Sequence, residues 1–382
     1  MDRANQAQSR SARETARESR QLRLAPNLYI AQTQPGFEAV TASEIAARVA
    51  GSREVARRIV PARAGLTIFT AARVEPLAKI RTAEDIFSLV GFRGGLGPHS
   101  ATLDRIRGAV REAPFVAEAL EARVLFTPGV RAGRRLRFRV VARVAGEHDF
   151  RRIDMQRAVE RGVLEREDHT WRLDENEADV EFWATLLGDE FIVAVRLSDE
   201  RMRHREYKIA HRPGSLRPAV AAALVWLSDP RENDIVLDPF CGTATILIER
   251  AQFGPYRLLI ASDRDASALE AARTNIGPRY KPIRLERWDA GAIPLPDASV
   301  SRLITNLPWG ERFSSHAENR KLYPQWIAEF NRLMAKDGRI VILTAEWRIM
   351  NQLIDRREIA PISVMHVTIL GSPASVYVCR KR

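Results

Sequence analysis

Cysteine is scarce in this chain of 382 residues: Cys241 and Cys379 are the only two. There is no CxxC pair, and the seven histidines show no paired ligand spacing. Neither a disulfide framework nor a metal site is therefore expected. Long apolar runs are missing as well. None approaches the roughly 20 residues of a membrane-spanning helix, and the N-terminus carries no hydrophobic signal core. The expectation is a cytoplasmic monomer without a membrane partner. The chain also lacks a balancing number of acids. Sixty Lys and Arg face 48 Asp and Glu, for a net charge of +12. The excess is mostly Arg, whose planar fork suits phosphate, so a polyanionic partner is expected. Hydrophobic residues make up 45%, enough for ordinary cores, so disorder is not the default.

Residues 1–26 read as a basic, unfolded arm, with six Arg and three acids over 1–24 and almost no large apolar side chain. From Asn27 the pattern turns globular. "LYIAQTQPGFEAVTASEIAARV" reads as strand, turn and helix, "AGLTIFTA" as a second strand, and "RVEPLAKIRTAEDIFSLVGF" as helix then strand. That mixture predicts a small α+β unit over 27–97, closed by the Gly-rich joint "RGGLGPHS". A second small unit is expected over 98–198. Its strand "RRLRFRVVARV" carries Arg on alternating positions, a candidate phosphate-contacting face. "RRIDMQRAVERGVLER" is an amphipathic helix with Ile153, Ala158, Val159 and Leu164 on its apolar side. "ADVEFWATLLGDEFIVAVRLS" reads as a hairpin turning near Gly188-Asp189. From 199 to 382, strand and helix signals alternate, which predicts a parallel sheet covered by helices on both faces. Two final strand-like runs around Gly371-Ser372-Pro373 would add an antiparallel strand.

Chemistry concentrates at the strand ends of this last region, where ligands of open α/β sheets bind. In "IVLDPFCGTATILIER" a strand ends at Asp238, and Gly242 lets the backbone approach a ligand. The stretch is not GxGxxG, so no dinucleotide is demanded. The next strand ends at Asp263, whose carboxylate can accept from both hydroxyls of a ribose. Asp265 is expected to cap the following helix. Asp289 follows the third strand and can accept from an adenine amino group. Three acids at three successive strand ends sketch a pocket for a cationic, adenosine-bearing ligand, a description that S-adenosylmethionine meets. The fourth strand delivers Asn306-Leu307-Pro308-Trp309. An exocyclic amine on a base is a poor nucleophile because its lone pair is delocalised. Two acceptors on its hydrogens, the Asn306 side-chain oxygen and the Leu307 carbonyl, favour the pyramidal amine that can attack. Pro308 stiffens that carbonyl, and Trp309 offers a stacking face.

Together "DPFCGTATILIE", "ASDRD" and "TNLPWG" resemble class I S-adenosylmethionine-dependent methyltransferases, and in particular the THUMP-domain RNA guanine-N2 methyltransferases. "HRPGSLRPAVAAAL" and "ILGSPASVYVCRK" are similar to the same family, "FRVVARVAGEHDFRRIDMQRAV" to THUMP, and "PGFEAVTASEI" to the ferredoxin-like piece before it. The resemblance implies a Rossmann-like domain over 199–382 after ferredoxin-like (27–97) and THUMP (98–198) domains. It implies that Asp238, Cys241, Gly242 and Thr243 line the methionine end of the cofactor, and that Ser215 and Leu216 close the pocket. Asn306 to Trp309 would hold a guanine of tRNA at position 6 of the acceptor stem, with THUMP gripping the 3′ end. Related members act at position 10 or on 23S ribosomal RNA. A DNA adenine-N6 methyltransferase and a catalytically silent RNA-binding protein are the readings from other classes. Two residues depart from the family pattern: Ala244 stands where Gly is usual, which predicts crowding, and Trp309 where Tyr or Phe is usual.

Overall fold

Alternating apolar residues build an eight-stranded sheet in the N-terminal half. Its strands are β1 (Leu28–Thr33), β2 (Arg53–Val60), β3 (Ala64–Thr70), β4 (Asp85–Arg93), β5 (Arg135–Ala145), β6 (Thr170–Leu173), β7 (Val180–Leu187) and β8 (Glu190–Arg196). The order is β2-β3-β1-β4-β8-β7-β5-β6. The computed structural model describes residues 22–131, 133–310 and 315–381. Most of the arm expected over 1–26 lies outside these, but Leu22 and Leu24 pack against the core of this sheet. By contacts the chain forms two units, one of residues up to Gln32 with Ile45–Asp199, the other of Thr33–Glu44 with Glu200–Arg382. In the first unit β4 pairs antiparallel with β8, so strands from both sides of residue 97 share one sheet.

Helix α1 (Glu38–Arg48) begins in the 33–44 segment, and α2 (Thr102–Arg111), α3 (Val116–Phe126) and α4 (Arg152–Leu164) follow. On α4, Met155, Val159 and Val163 are buried. Leu164, expected inside, is 49% exposed, because Val163 fills that turn of the apolar stripe. The predicted hairpin forms: Leu187 faces Glu190 across Gly188-Asp189, with Gly188 at φ +56°. The Arg stripe of β5 differs from expectation. Parallel pairing sets Arg139 beside Glu181, to which it donates. Arg137 donates to Asp179 at 3.1 Å and also pairs Glu177. Arg143 lies 4.4 Å over the Trp183 ring and donates to Gln32. These three guanidinium groups are engaged by neighbouring side chains, while Arg134 and Arg135 at the start of the stripe are exposed.

The second unit adds α5 (Glu200–His204), α6 (Pro218–Leu227), β9 (Ile235–Asp238), α7 (Thr245–Phe253), β10 (Leu258–Ser262), α8 (Ala266–Ile276), β11 (Ile283–Glu286), β12 (Val300–Asn306), α9 (His316–Leu333), β13 (Met334–Thr344), α10 (Trp347–Asp355), β14 (Ala360–Ile369) and β15 (Ser372–Arg380). The sheet order is β11-β10-β9-β12-β13-β15-β14. β9 to β13 pair in parallel and β15 runs antiparallel to β13, as the strand signals predict. The chain reverses direction across the sheet between β9 and β12, and such a switch point opens a crevice at the carboxyl ends. One core cluster holds Leu224, Leu247 and Ala272 of α6–α8; another holds Ile327, Phe330 and Met350 of α9 and α10. Phe37 and Val40 join the first cluster. Gly36 makes this approach possible: at φ +97°, an added Cβ would stand 2.4 Å from the His366 carbonyl.

Candidate active site

The crevice holds a cavity of about 350 Å³. Ser215, Leu216, Gly242, Thr243, Asp263 and Asn306–Trp309 all line it. Gly242, Thr243, Asp263 and Asn306–Trp309 are placed by strand ends, and Ser215 and Leu216 by the loop before α6. β10 stops at Ser262, which leaves the half-buried Asp263 carboxylate at the rim. Its Oδ2 accepts from the Gly242 amide at 3.1 Å, and its Oδ1 from the Asp265 amide at 3.0 Å. The first bond ties the loop after β9 to the end of β10. Gly242 adopts φ +51°, a conformation that suits glycine. Thr243 and Ser215 share a hydroxyl hydrogen bond of 2.8 Å, which joins the loop before α6 to the loop before α7. Asp265 caps α8 as expected, accepting from the Ser267 amide at 2.8 Å.

Three of the sequence-derived residues stand back from the cavity. Asp238 is 1% exposed and lies beneath the loop. Its Oδ1 accepts from the Thr305 hydroxyl at 2.9 Å and from the Phe240 amide at 3.2 Å. Burial, with the Asp263 charge adding to it, pushes its carboxyl up to about 7. Cys241 is buried beside it, and burial and the two acids raise its thiol well above the usual value, so it is a neutral core residue and not a nucleophile. Asp289 is exposed three residues beyond β11, with Oδ1 accepting from the Gly291 amide at 2.7 Å. Ala244 does not line the cavity either. It sits at φ +60° with its methyl group in the core, so the crowding expected from it does not arise there.

The stretch after β12 shows the feature special to Trp309. Its indole Nε1–H donates to Asn306 Oδ1 at 3.1 Å. An indole nitrogen only donates, so the Asn306 oxygen must face it, which fixes the amide orientation. That oxygen keeps a second lone pair for another donor. Sequence reasoning missed the aromatic wall. Phe240 and Trp326 pack edge to face with centroids 4.7 Å apart, and both line the cavity with Leu322. The i, i+4 spacing of Leu322 and Trp326 on α9 was a visible signal, but one shared with any amphipathic helix. Arg212, which also lines the cavity, is held by Asp265 at 2.6 Å. A carboxylate at the rim, a buried one below, paired hydroxyls and an aromatic wall suit a ligand with a diol, a flat ring and a positive charge.

Residues 205–373 match the RMKL-like methyltransferase domain of the UPF0020 family. The chain is similar to the tRNA (guanine(6)-N(2))-methyltransferase THUMP3 of Mus musculus, 30% identical over 263 residues that make up 64% of this chain and 51% of that protein. It is 33% identical to the tRNA (guanine(6)-N2)-methyltransferase of Thermus thermophilus over 209 residues, 54% of this chain and 62% of the relative. The chain thus spans about half the length of the mouse relative. The crystal structure of TrmN from Thermus thermophilus superposes with a TM-score of 0.73 and 26% identity, covering 93% of this chain and 99% of that one. The second unit has the class I methyltransferase fold, with the parallel sheet and antiparallel insertion expected of it.

Proposed function

From a chain related to tRNA guanine-N2-methyltransferases, we propose an enzyme that transfers a methyl group from S-adenosylmethionine to the exocyclic N2 amine of a guanine in tRNA. The target is position 6 of the acceptor stem. The observation that carries this reading is the shared cavity: Asn306, its side-chain amide oriented by Trp309, lines the same space as Asp263. The cofactor supplies an electrophilic methyl group. Asp263 would accept from its ribose, and the Gly242 and Thr243 loop would hold its amino acid end. Asp238, below, adds negative charge toward a sulfonium. Asn306 and the Leu307 carbonyl would accept the two amine hydrogens, and the Trp309 face would stack the base. Orientation then carries the rate: the sulfur–methyl bond breaks as the nitrogen–methyl bond forms, S-adenosylhomocysteine leaves, and the surplus proton of the methylated amine passes to water, so no general base of shifted pKa is needed.

The ferredoxin-like and THUMP divisions at 27–97 and 98–198 form part of this reading, with THUMP choosing the tRNA by its 3′ end. The test is nucleoside mass spectrometry of tRNA and ribosomal RNA from a deletion strain, with and without the purified chain added back. N2-methylguanosine mapped to tRNA position 6, lost when the 3′ end is trimmed, supports the proposal. Methylation at position 10 or in 23S ribosomal RNA, or equal rates on trimmed tRNA, overturns the site assignment.

A further inference from the structure

Behind the Asn306–Trp309 stretch lies a buried polar network of residues from distant parts of the chain. The Pro308 carbonyl accepts from the Tyr323 hydroxyl at 3.0 Å and from Asn319 Nδ2 at 3.2 Å. The second Asn319 amide hydrogen goes to Glu346 Oε1 at 2.9 Å. The same carboxylate accepts from the Gly310 amide at 3.0 Å and from His316 Nδ1 at 2.8 Å. Tyr323 also shares a 2.7 Å hydrogen bond with Thr344, and Thr344 Oγ1 accepts from the Glu346 amide at 2.9 Å.

Donor counting fixes the direction of this chain. Tyr323 has one hydroxyl proton and gives it to Pro308, so Thr344 must donate to Tyr323. Burial pushes the Tyr323 phenol far up, which keeps that proton in place. Tyr323, Asn319 and Thr344 are fully buried and Glu346 nearly so. Both lone pairs of the Pro308 carbonyl are then occupied. Among the described residues, nothing donates to the carbonyl of Leu307. The peptide on either side of Pro308 is gripped from below, at its carbonyl and at the amide of Gly310. Its remaining acceptors are Asn306 Oδ1, on a half-buried residue of the cavity lining, and Leu307 O, on a residue that is fully buried where the cavity meets the core.

We infer that Tyr323, Asn319 and Glu346 are positioning residues for methyl transfer: they lock the Pro308-Trp309-Gly310 backbone so that the Leu307 carbonyl and Asn306 are presented to the target amine. This rests on the proposed function. A rigid clamp matters because reacting groups displaced by about 1 Å can lose on the order of a hundredfold in rate.

The test compares wild type with Tyr323→Phe, which removes one oxygen and fits the same space, and with Glu346→Gln. Methyl transfer to tRNA is measured with S-adenosylmethionine affinity by calorimetry and the melting temperature. For Tyr323→Phe, kcat should fall about two- to tenfold, the worth of one hydrogen bond. Cofactor Kd and tRNA KM should stay within about twofold. Glu346→Gln removes the charge from the clamp and should lose more, about tenfold or above. If Glu346→Gln fails to fold, Tyr323→Phe decides alone. An unchanged kcat in Tyr323→Phe, or a fall matched by an equal loss of cofactor affinity, overturns the clamp. A wild-type chain inert on all RNA removes the proposed function and this inference with it, a result distinct from an active wild type with indifferent variants.

Discussion

Asp238→Asn is expected to stabilise the cofactor-free protein at neutral and alkaline pH while weakening its hold on a cationic cofactor. The substitution is nearly isosteric. Both hydrogen bonds from Thr305 and Phe240 end on Oδ1, so an asparagine oxygen can accept both. What changes is the charge. The carboxyl sits at about 7 in the folded protein against 3.8 ordinarily, because burial disfavours its ionised form. A folded-state value above the unfolded one means that folding takes up a proton between these limits. Stability from this group is fully present below about pH 4 and is lost as pH rises through about 7. At about 1.36 kcal/mol per unit, the loss over some 3 units is on the order of 4 kcal/mol. Urea unfolding of both proteins at pH 5, 6, 7 and 8, followed by circular dichroism, should show the wild type falling as the variant stays flat. Near pH 8 the variant should lead by a few kcal/mol. Calorimetry should show S-adenosylmethionine losing affinity to the variant, and S-adenosylhomocysteine, which lacks the sulfonium charge, losing much less. A variant no more stable than wild type at pH 8, or a wild type with no slope between pH 5 and 7, would refute the reasoning.

Asn306→Ala should abolish methyl transfer to tRNA with little change in cofactor affinity; a purified variant that turns over at the wild-type rate removes Asn306 from the chemistry. Asp263→Ala should weaken S-adenosylmethionine binding by about 1.5–3 kcal/mol for each charged hydrogen bond lost, read by calorimetry, and unaltered affinity would put the ribose elsewhere. Phe37→Ala should destabilise the unit that holds the cavity by about 3–5 kcal/mol, because Phe37 is fully buried in its core. Thermal melting checks it, and a shift of less than a degree or two would mean that the 33–44 segment contributes little.

Local pattern decided much of this protein. Apolar spacing and turn residues placed the alternating β and α elements from Ile235 to Thr344. The Gly188-Asp189 turn and the Asp265 cap were legible because each depends on residues within two or three positions. The strand ends at Asp238, Asp263 and Asn306 followed from where apolar runs stop. Tertiary structure decided the rest. Phe37 and Val40 have the same helical spacing whichever core they fill, and packing alone assigns them to the second unit. The β5 arginines read alike in sequence, and only β7, some 42 positions on, sets Glu181 and Asp179 against Arg139 and Arg137 and leaves Arg135 exposed. Asp238 looked like a pocket wall, but the depth of β9 in the sheet makes it a buried acid instead. The grip of Tyr323, Asn319 and Glu346 on the Pro308-Trp309-Gly310 backbone joins residues 11 to 36 positions from the groups they hold. The physical division is between short and long range. Backbone preferences, caps and turns are set by near neighbours. Strand register, burial of charge and the partners of a buried donor exist only once distant segments have packed.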